Sequence, residues 1–332
     1  MSRTVLVTGG AGYVGSHSCK AFARAGWNIV VYDNLSRGWR DFVRWGGLIE
    51  GELHDTDRLT SVLEDVKPDA VAHFAAFAYV AESMKNPGLY YHNNVAGTLS
   101  LLQAMQRAGT DKLIFSSTCA SYGIHADLIT EETPQAPINP YGASKMMAER
   151  MIADFGMAHG IRSVILRYFN AGGADLDGEI GERHDPEPHV IPLAIMGARD
   201  GTFTFTINGT DFDTRDGTAV RDYVHVSDLA DAHWRALDHL AEGGESEIFN
   251  LGTGRGVSVA ELADAVERVA GKPVPRQPGP RRPGDPPSLV ASADKAERIL
   301  GWKPVNSDID TIVETAWDWH RRDNHRSTPD NS

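Results

Sequence analysis

The chain has 332 residues, long enough for one two-lobed unit or two modest domains with a sizeable core. Its 45 acidic and 32 basic residues give a formal charge of −13, a field that repels a phosphodiester backbone and argues against nucleic acid as a partner. Cys19 and Cys119 stand alone, with no CxxC or histidine cluster to suggest zinc and too few thiols for a disulfide framework, so no metal and a reducing cytoplasm are expected.

In chain order, Val5-Leu6-Val7 is an apolar run too short for a signal peptide, and no later stretch approaches the ~18 apolar residues of a spanning helix; a soluble chain without a membrane partner is expected. Short branched runs at 5–7, 29–31, 70–72, 113–115 and 164–166 read as parallel strands buried on both faces. Helical periodicity fills the intervals at 13–25, 57–65, 87–108 and 141–159, several of these closing near a glycine. This alternation predicts an α/β fold with a doubly wound parallel sheet.

Beyond Gly172 the chain turns to loops dense in Gly, Pro and Asp. Helices are expected near 191–199, 227–239, 258–269, 293–300 and 309–321, and strands near 203–207 and 222–226. The proline-rich stretch 272–287 reads as a linker by composition, although Arg281-Arg282-Pro283-Gly284-Asp285 carries charge a spacer does not need. The expected division is a dinucleotide-binding domain over 1–175, a smaller α/β substrate lobe over 176–325 and a tail over 326–332, with about 217–240 packing back on the first domain.

Gly9-x-x-Gly12-x-x-Gly15 follows the first strand and opens a helix, the context in which glycines let a backbone approach a pyrophosphate and helix N–H groups face its charge. Asp33 ends the second strand, where a carboxylate accepts from adenosine ribose hydroxyls and repels a 2′-phosphate, favouring NAD over NADP. Tyr141 and Lys145 are an i,i+4 pair on one helix face, the one Tyr-x-x-x-Lys of the chain. Turning a phenol into a base near neutrality takes about 4 kcal/mol, which an ammonium and a cationic nicotinamide can supply. Among the hydroxyls of Ser116-Ser117-Thr118, at the end of a buried strand, Thr118 is the candidate to bond a substrate alcohol and Tyr141. Ser116 and Ser117 are more simply explained as satisfying strand-end backbone groups.

These motifs, with Asp33-Asn34-Leu35, His73-Phe74-Ala75-Ala76, Asn93-Asn94-Val95, Asn139-Pro140-Tyr141-Gly142, Leu166-Arg167-Tyr168-Phe169-Asn170, Val220-Arg221-Asp222-Tyr223 and Asn250-Leu251-Gly252, resemble the UDP-glucose (UDP-galactose) 4-epimerase family of extended short-chain dehydrogenases. The resemblance spans nearly the whole chain. It implies reversible hydride transfer at the sugar C4 to a tightly held NAD through a 4-keto sugar, with Tyr141 as base, Lys145 supporting it and Thr118 bridging to O4. It places Gly9, Gly12, Tyr13, Val14, Gly15, Asp33, Asn34, Glu52, Leu53, Phe74, Ala75, Ala76, Asn93, Ser116, Tyr141, Lys145 and Tyr168 around NAD. Around the UDP-sugar it places Thr118, Asn170, His189, Val190, Arg221, Arg282 and Asp285, and it implies a homodimer through the helices at 87–108 and 141–159.

The chain departs from the family pattern at Ala78, where many members have a lysine near the cofactor, and at His189, where an asparagine is common. Phe77-Ala78-Tyr79-Val80 and Ser117-Thr118-Cys119-Ala120 are more similar to plant UDP-arabinose 4-epimerases and some bacterial exopolysaccharide epimerases, which leaves a UDP-xylose/UDP-arabinose pair as the alternative. Leu289 falls where side-chain bulk restricts N-acetylated sugars. Cys119-Ala120 replaces the Asp-Glu of dehydratases, which disfavours elimination; a UDP-glucuronate decarboxylase and a non-catalytic NAD- or nucleotide-sugar-binding regulator are the remaining readings.

Overall fold

The computed structural model describes residues 3–125, 128–201 and 203–322, so the expected tail at 326–332 lies outside the described residues. In the N-terminal half strands and helices mostly alternate. It runs β1 (Thr4–Thr8), α1 (Tyr13–Arg24), β2 (Asn28–Asp33), β3 (Gly47–Glu50), α2 (Thr56–Val66), β4 (Ala70–His73), α3 (Val80–Lys85), α4 (Pro87–Tyr90), α5 (Gly97–Ala108), β5 (Lys112–Thr118), α6 (Pro140–His159) and β6 (Arg162–Tyr168). Next come β7 (Asn170–Gly172), α7 (Val190–Asp200), β8 (Phe205–Asn208), β9 (Val220–His225), α8 (Val226–Ala241), β10 (Glu247–Leu251), β11 (Gly256–Ser258), α9 (Val259–Ala270), β12 (Arg276–Gly279), β13 (Ser288–Leu289), α10 (Asp294–Leu300) and α11 (Ile309–Arg322).

The main sheet has seven strands in the order β10-β6-β5-β4-β1-β2-β3, every pair parallel. Its alternating side chains feed two cores. Val5 and Val7 of β1 face one way, with Phe22 of α1 and Leu229 and Leu237 of α8, while Leu6 faces the other, with Leu59, Leu101, Met105 and Ile152 of α2, α5 and α6. Both faces are dry, as branched parallel strands require. The order of growth reverses between β1 and β4, so a crevice opens at their carboxyl ends, where doubly wound sheets bind ligands. A third core of Ile191, Ile195, Phe205, Tyr223, Leu262, Val266 and Ile312 joins α7, α9 and α11 beside two small sheets, β11-β9-β13 with β7 on β9, and β12-β8.

β10 joins the main sheet from beyond residue 175, and α8 packs on α1. Two expectations are revised. The stretch at 272–287 is not a linker: β12 pairs with β8 there, and the segment runs into β13, which pairs with β9. The helix at 87–108 is interrupted by a π turn over Tyr91–Ala96. The cause is Asn94, whose side chain accepts from the Phe77 N–H at 2.9 Å and donates to the Phe77 carbonyl and Ser144 Oγ at 3.0 Å, fastening the cofactor-side loop to α6.

Candidate active site

One cavity of about 510 Å³ lies over the carboxyl edge of the sheet and contains every site residue expected from the sequence. Gly9, Gly12, Tyr13, Val14 and Gly15 form its floor. Gly9 has φ +75°, and a Cβ on it would fall 2.4 Å from the Ala75 nitrogen; one on Gly15 would fall 2.2 Å from the Gly9 carbonyl oxygen. Only bare backbone fits. Gly12 caps α1 without a side-chain bond, leaving the first-turn N–H groups to the cavity, a cradle suited to a pyrophosphate.

Asp33 accepts from the Ala11 N–H at 3.0 Å and the Leu35 N–H at 2.8 Å, and burial pushes its carboxyl above the usual range. Asn34 donates to Glu52 at 2.9 Å, and Glu52 and Leu53 line the same cavity. Phe74 and Ala75 both donate backbone N–H to the Thr8 carbonyl, holding Phe74, Ala75 and Ala76 across from the glycine turn; Asn93 lines the same wall. The Tyr13 hydroxyl donates to the Gly173 carbonyl at 2.6 Å.

The chemical centre is built by β5 and α6. Asn139 caps α6 by accepting from the Gly142 N–H at 2.8 Å, and Pro140 occupies the first turn. This places the phenol of Tyr141 within hydrogen-bonding reach of Thr118, whose Oγ1 also accepts from the Ala120 N–H at 3.1 Å. Lys145, one turn on, donates to the Ser116 carbonyl at 2.9 Å. Ser116 bonds the Tyr168 hydroxyl and Ser117 bonds Glu149, so both serine hydroxyls serve side chains and not the strand-end backbone expected.

Burial pushes Tyr141 well above the ordinary phenol range, with Tyr168 adding to the rise and Thr118 opposing it; Lys145 is not among the influences that lower it. Burial pulls Lys145 itself down to about 7, against a smaller opposing pull from Glu149. Without a further cation in the cavity the tyrosine holds its proton.

At the far end Arg221 and Asp285 pair with each other, and Arg282 Nε and Nη2 lie 3.0 Å from the Asn208 amide. Asn170, His189 and Val190 border the space between these groups and Tyr141. His73 is structural, bonded to Thr8 at 2.6 Å and Thr98 at 3.1 Å. His225 caps α8, and Asp228 accepts from Asn306 and Ser307. Among the lining residues given no role from sequence are Arg37 and Tyr223. Arg37 stacks on Phe77 and Tyr79 and is held by Glu82 at 2.8 Å; a cation just past the Asp33 turn was the available signal. Tyr223 faces the cavity with a buried hydroxyl lacking a partner among the described residues.

Comparison with known proteins gives a consistent result. The model of the NAD dependent epimerase/dehydratase family matches residues 5–252. A UDP-glucose 4-epimerase of Rhizobium meliloti is 54% identical over 327 residues, 97% of this chain and 98% of that protein. A crystal structure of UDP-glucose 4-epimerase from Brucella ovis in complex with NAD is 50% identical with a TM-score of 0.92, covering 96% of this chain and 98% of its own. A UDP-glucose-4-epimerase structure from Stenotrophomonas maltophila with bound NAD and formylated UDP-arabinopyranose is 36% identical with a TM-score of 0.94, covering 98% and 100%. With the glycine cradle, the Tyr141–Lys145 helix and a near full-length match in agreement, the chain belongs to the UDP-glucose 4-epimerases of the NAD-dependent epimerase/dehydratase family.

Proposed function

We propose that this chain is an NAD-dependent UDP-sugar 4-epimerase that interconverts UDP-glucose and UDP-galactose. The observation that carries this reading is the position of Tyr141. Beside Thr118 and one turn from Lys145, it shares a single cavity with the glycine cradle and Asp33 on one side and Arg221, Arg282 and Asp285 on the other. Bound NAD supplies the hydride acceptor for the sugar C4 and a positive ring charge near Tyr141.

The chain's own residues do the rest. The Gly9–Gly15 turn holds the cofactor diphosphate on backbone N–H groups, and Asp33 receives the adenosine ribose hydroxyls. Tyr141 removes and later returns the proton of the 4-OH, while Thr118 fixes the direction of that hydroxyl. Epimerisation requires the 4-keto sugar to present its other face, so it must turn while its UDP stays anchored. Arg221 and Arg282 suit that anchor because a guanidinium grips a diphosphate through paired N–H groups, and Asp285 suits the uridine ribose.

A UDP-xylose/UDP-arabinose pair is the second reading, favoured by the departures from the family pattern at Ala78 and His189, both of which line the cavity, and by the pentose ligand of the Stenotrophomonas relative. The glycine cradle and β1–β6 constitute a cofactor lobe, and the part built on α7, β8 and α9 a sugar-nucleotide lobe. Exposed Tyr91 and Met147 on the faces of the 87–108 helices and α6 support homodimerisation there. Cys19 and Cys119 are both free thiols, which suits a cytoplasmic protein, and among the described residues no helix is long and apolar enough to cross a membrane.

The test is proton NMR of purified protein incubated with UDP-galactose, UDP-GalNAc and UDP-xylose, without and then with added NAD. Inversion at C4 alone is expected, and the relative rates rank the sugars. No conversion with NAD present overturns the assignment and shifts weight to decarboxylation of UDP-glucuronate or to a binding role.

A further inference from the structure

Residues 182–189, between the main sheet and α7, bring two carboxylates and two imidazoles to one point. Oxygens of Glu182 and Glu187 and nitrogens of His184 and His189 all lie within 4.8 Å of one another. His189 Nδ1 stands 2.9 Å from Glu182 and 2.8 Å from Glu187; His184 Nδ1 stands 3.4 Å and 3.5 Å from the same two groups. The His184 nitrogen is buried yet makes no hydrogen bond among the described residues, so it points into the cluster with its bonding capacity unused.

Charge makes the arrangement unusual. Glu182 is only 4% exposed, and among the described residues neither carboxylate pairs with a lysine or arginine. Arg37, which stacks on Tyr79, is committed to Glu82, and the rings of Tyr13 and Tyr79 lie against the two imidazoles. Among the described residues the charges that can balance the two carboxylates are the protons His184 and His189 carry, and a divalent ion bound by the four side chains would take their place. The contrast is the cluster of Asp175, Asp177 and Glu179, which already has its cation in Lys20 at 2.7, 2.8 and 2.5 Å.

We propose that Glu182, His184, Glu187 and His189 form a site for one divalent ion of the zinc class in the wall of the cavity. Two imidazole nitrogens and two carboxylate oxygens are a borderline-soft donor set that selects zinc or a similar transition metal over magnesium or calcium, which take oxygen alone. The ligands sit at Glu-x-His-x-x-Glu-x-His, a spacing missed in looking for cysteine pairs and adjacent histidines. His189 is the residue that caps α7, so the ion ties the preceding loop to the start of a helix whose Val190 and Leu193 line the cavity.

The test uses the full chain with its cofactor, dialysed against a chelator, then titrated with Zn²⁺ by calorimetry and measured for bound metal by mass spectrometry. One ion per chain is expected, with a rise in melting temperature, and Co²⁺ in its place should show the visible absorption of a tetrahedral site. His184→Ala and Glu187→Gln should each weaken binding at least about 10-fold, each checked for native circular dichroism so that one folded variant suffices. Sub-stoichiometric uptake, or uptake unchanged in a folded variant, overturns the proposal. Metal content is read without turnover, so the result is independent of the sugar reaction.

Discussion

Tyr141 is half-buried at the cavity wall and its own surroundings raise its pKa, so its work as a base depends on what enters the cavity beside it. Removing the phenol oxygen leaves the ring's packing, including the edge contact with Tyr90 at 6.4 Å, in place. Tyr141→Phe should therefore lower kcat at least about 10³-fold in the NMR assay while the melting temperature moves by only a few degrees. Turnover near the native rate would remove Tyr141 from the mechanism. Lys145 gives a pH signature in the cofactor-free protein. Its folded pKa of about 7 lies below the ordinary lysine value, so between that pH and about 10.5 the unfolded chain keeps a proton the folded chain releases. The penalty is full below pH 7 and fades as pH rises to about 10.5. Lys145→Met should thus gain melting temperature relative to the native protein as pH is lowered from 10 to 7 in calorimetric scans; a constant difference across that range would show that the ammonium is not desolvated.

At the level of elements, the site depends on how closely α6 meets the turn that follows β5. A Cβ on Gly142 would fall 2.2 Å from the Ala120 carbonyl oxygen, so Gly142→Ala must push apart the segments that carry Tyr141 and Thr118. A shift of that kind should reduce kcat about 10²-fold. Gly88→Ala, at a helical position with open space around it, is the control and should leave kcat intact; equal losses in both would mean the contact is not what sets the geometry. These elements were legible in sequence because local rules govern them: branched runs for the strands, Asn-Pro before α6, glycines at the turn after β1. The strand β12 was not, because Arg276-Gln277-Pro278-Gly279 is extended only through its pairing with β8, a partner distant in sequence. The bonds of Ser116 to Tyr168 and Ser117 to Glu149 were hidden for the same reason, since residues from β6 and α6 decide them. Edge strand β3, with only half-buried side chains at its centre, lacks the apolar run that marked its neighbours.

For the whole molecule, the two-sided core imposes a pH limit that no single site residue reveals. His17, His225 and His233 are pulled to about 4 and His73 to about 3, in each case chiefly by burial. All four are neutral in the fold, while the unfolded chain protonates them near pH 6.5, so stability is complete above that value and drains away as pH falls toward 4. His189 acts in the opposite sense. Burial pulls it down, but Glu182 and Glu187 more than reverse this and hold it at about 10, a contribution present below pH 6.5 and lost as pH rises through 10. His184, raised by the same two carboxylates, and His189 are protonated in both states on the acid side and add no slope there, so in the metal-free protein the four neutral imidazoles should drop the melting temperature by at least about 5 °C between pH 6.5 and 5. His233 isolates the cause, because its Nδ1 bonds only the Leu229 carbonyl of its own helix at 2.8 Å and its Nε2 is buried without a partner among the described residues. His233→Leu removes that titration while keeping an apolar side chain between Phe74 and Tyr168, and its acid limb should be shallower than the native one. If calorimetry gives the two proteins the same slope below pH 6.5, the acid sensitivity arises from the carboxylate network and not from buried imidazoles.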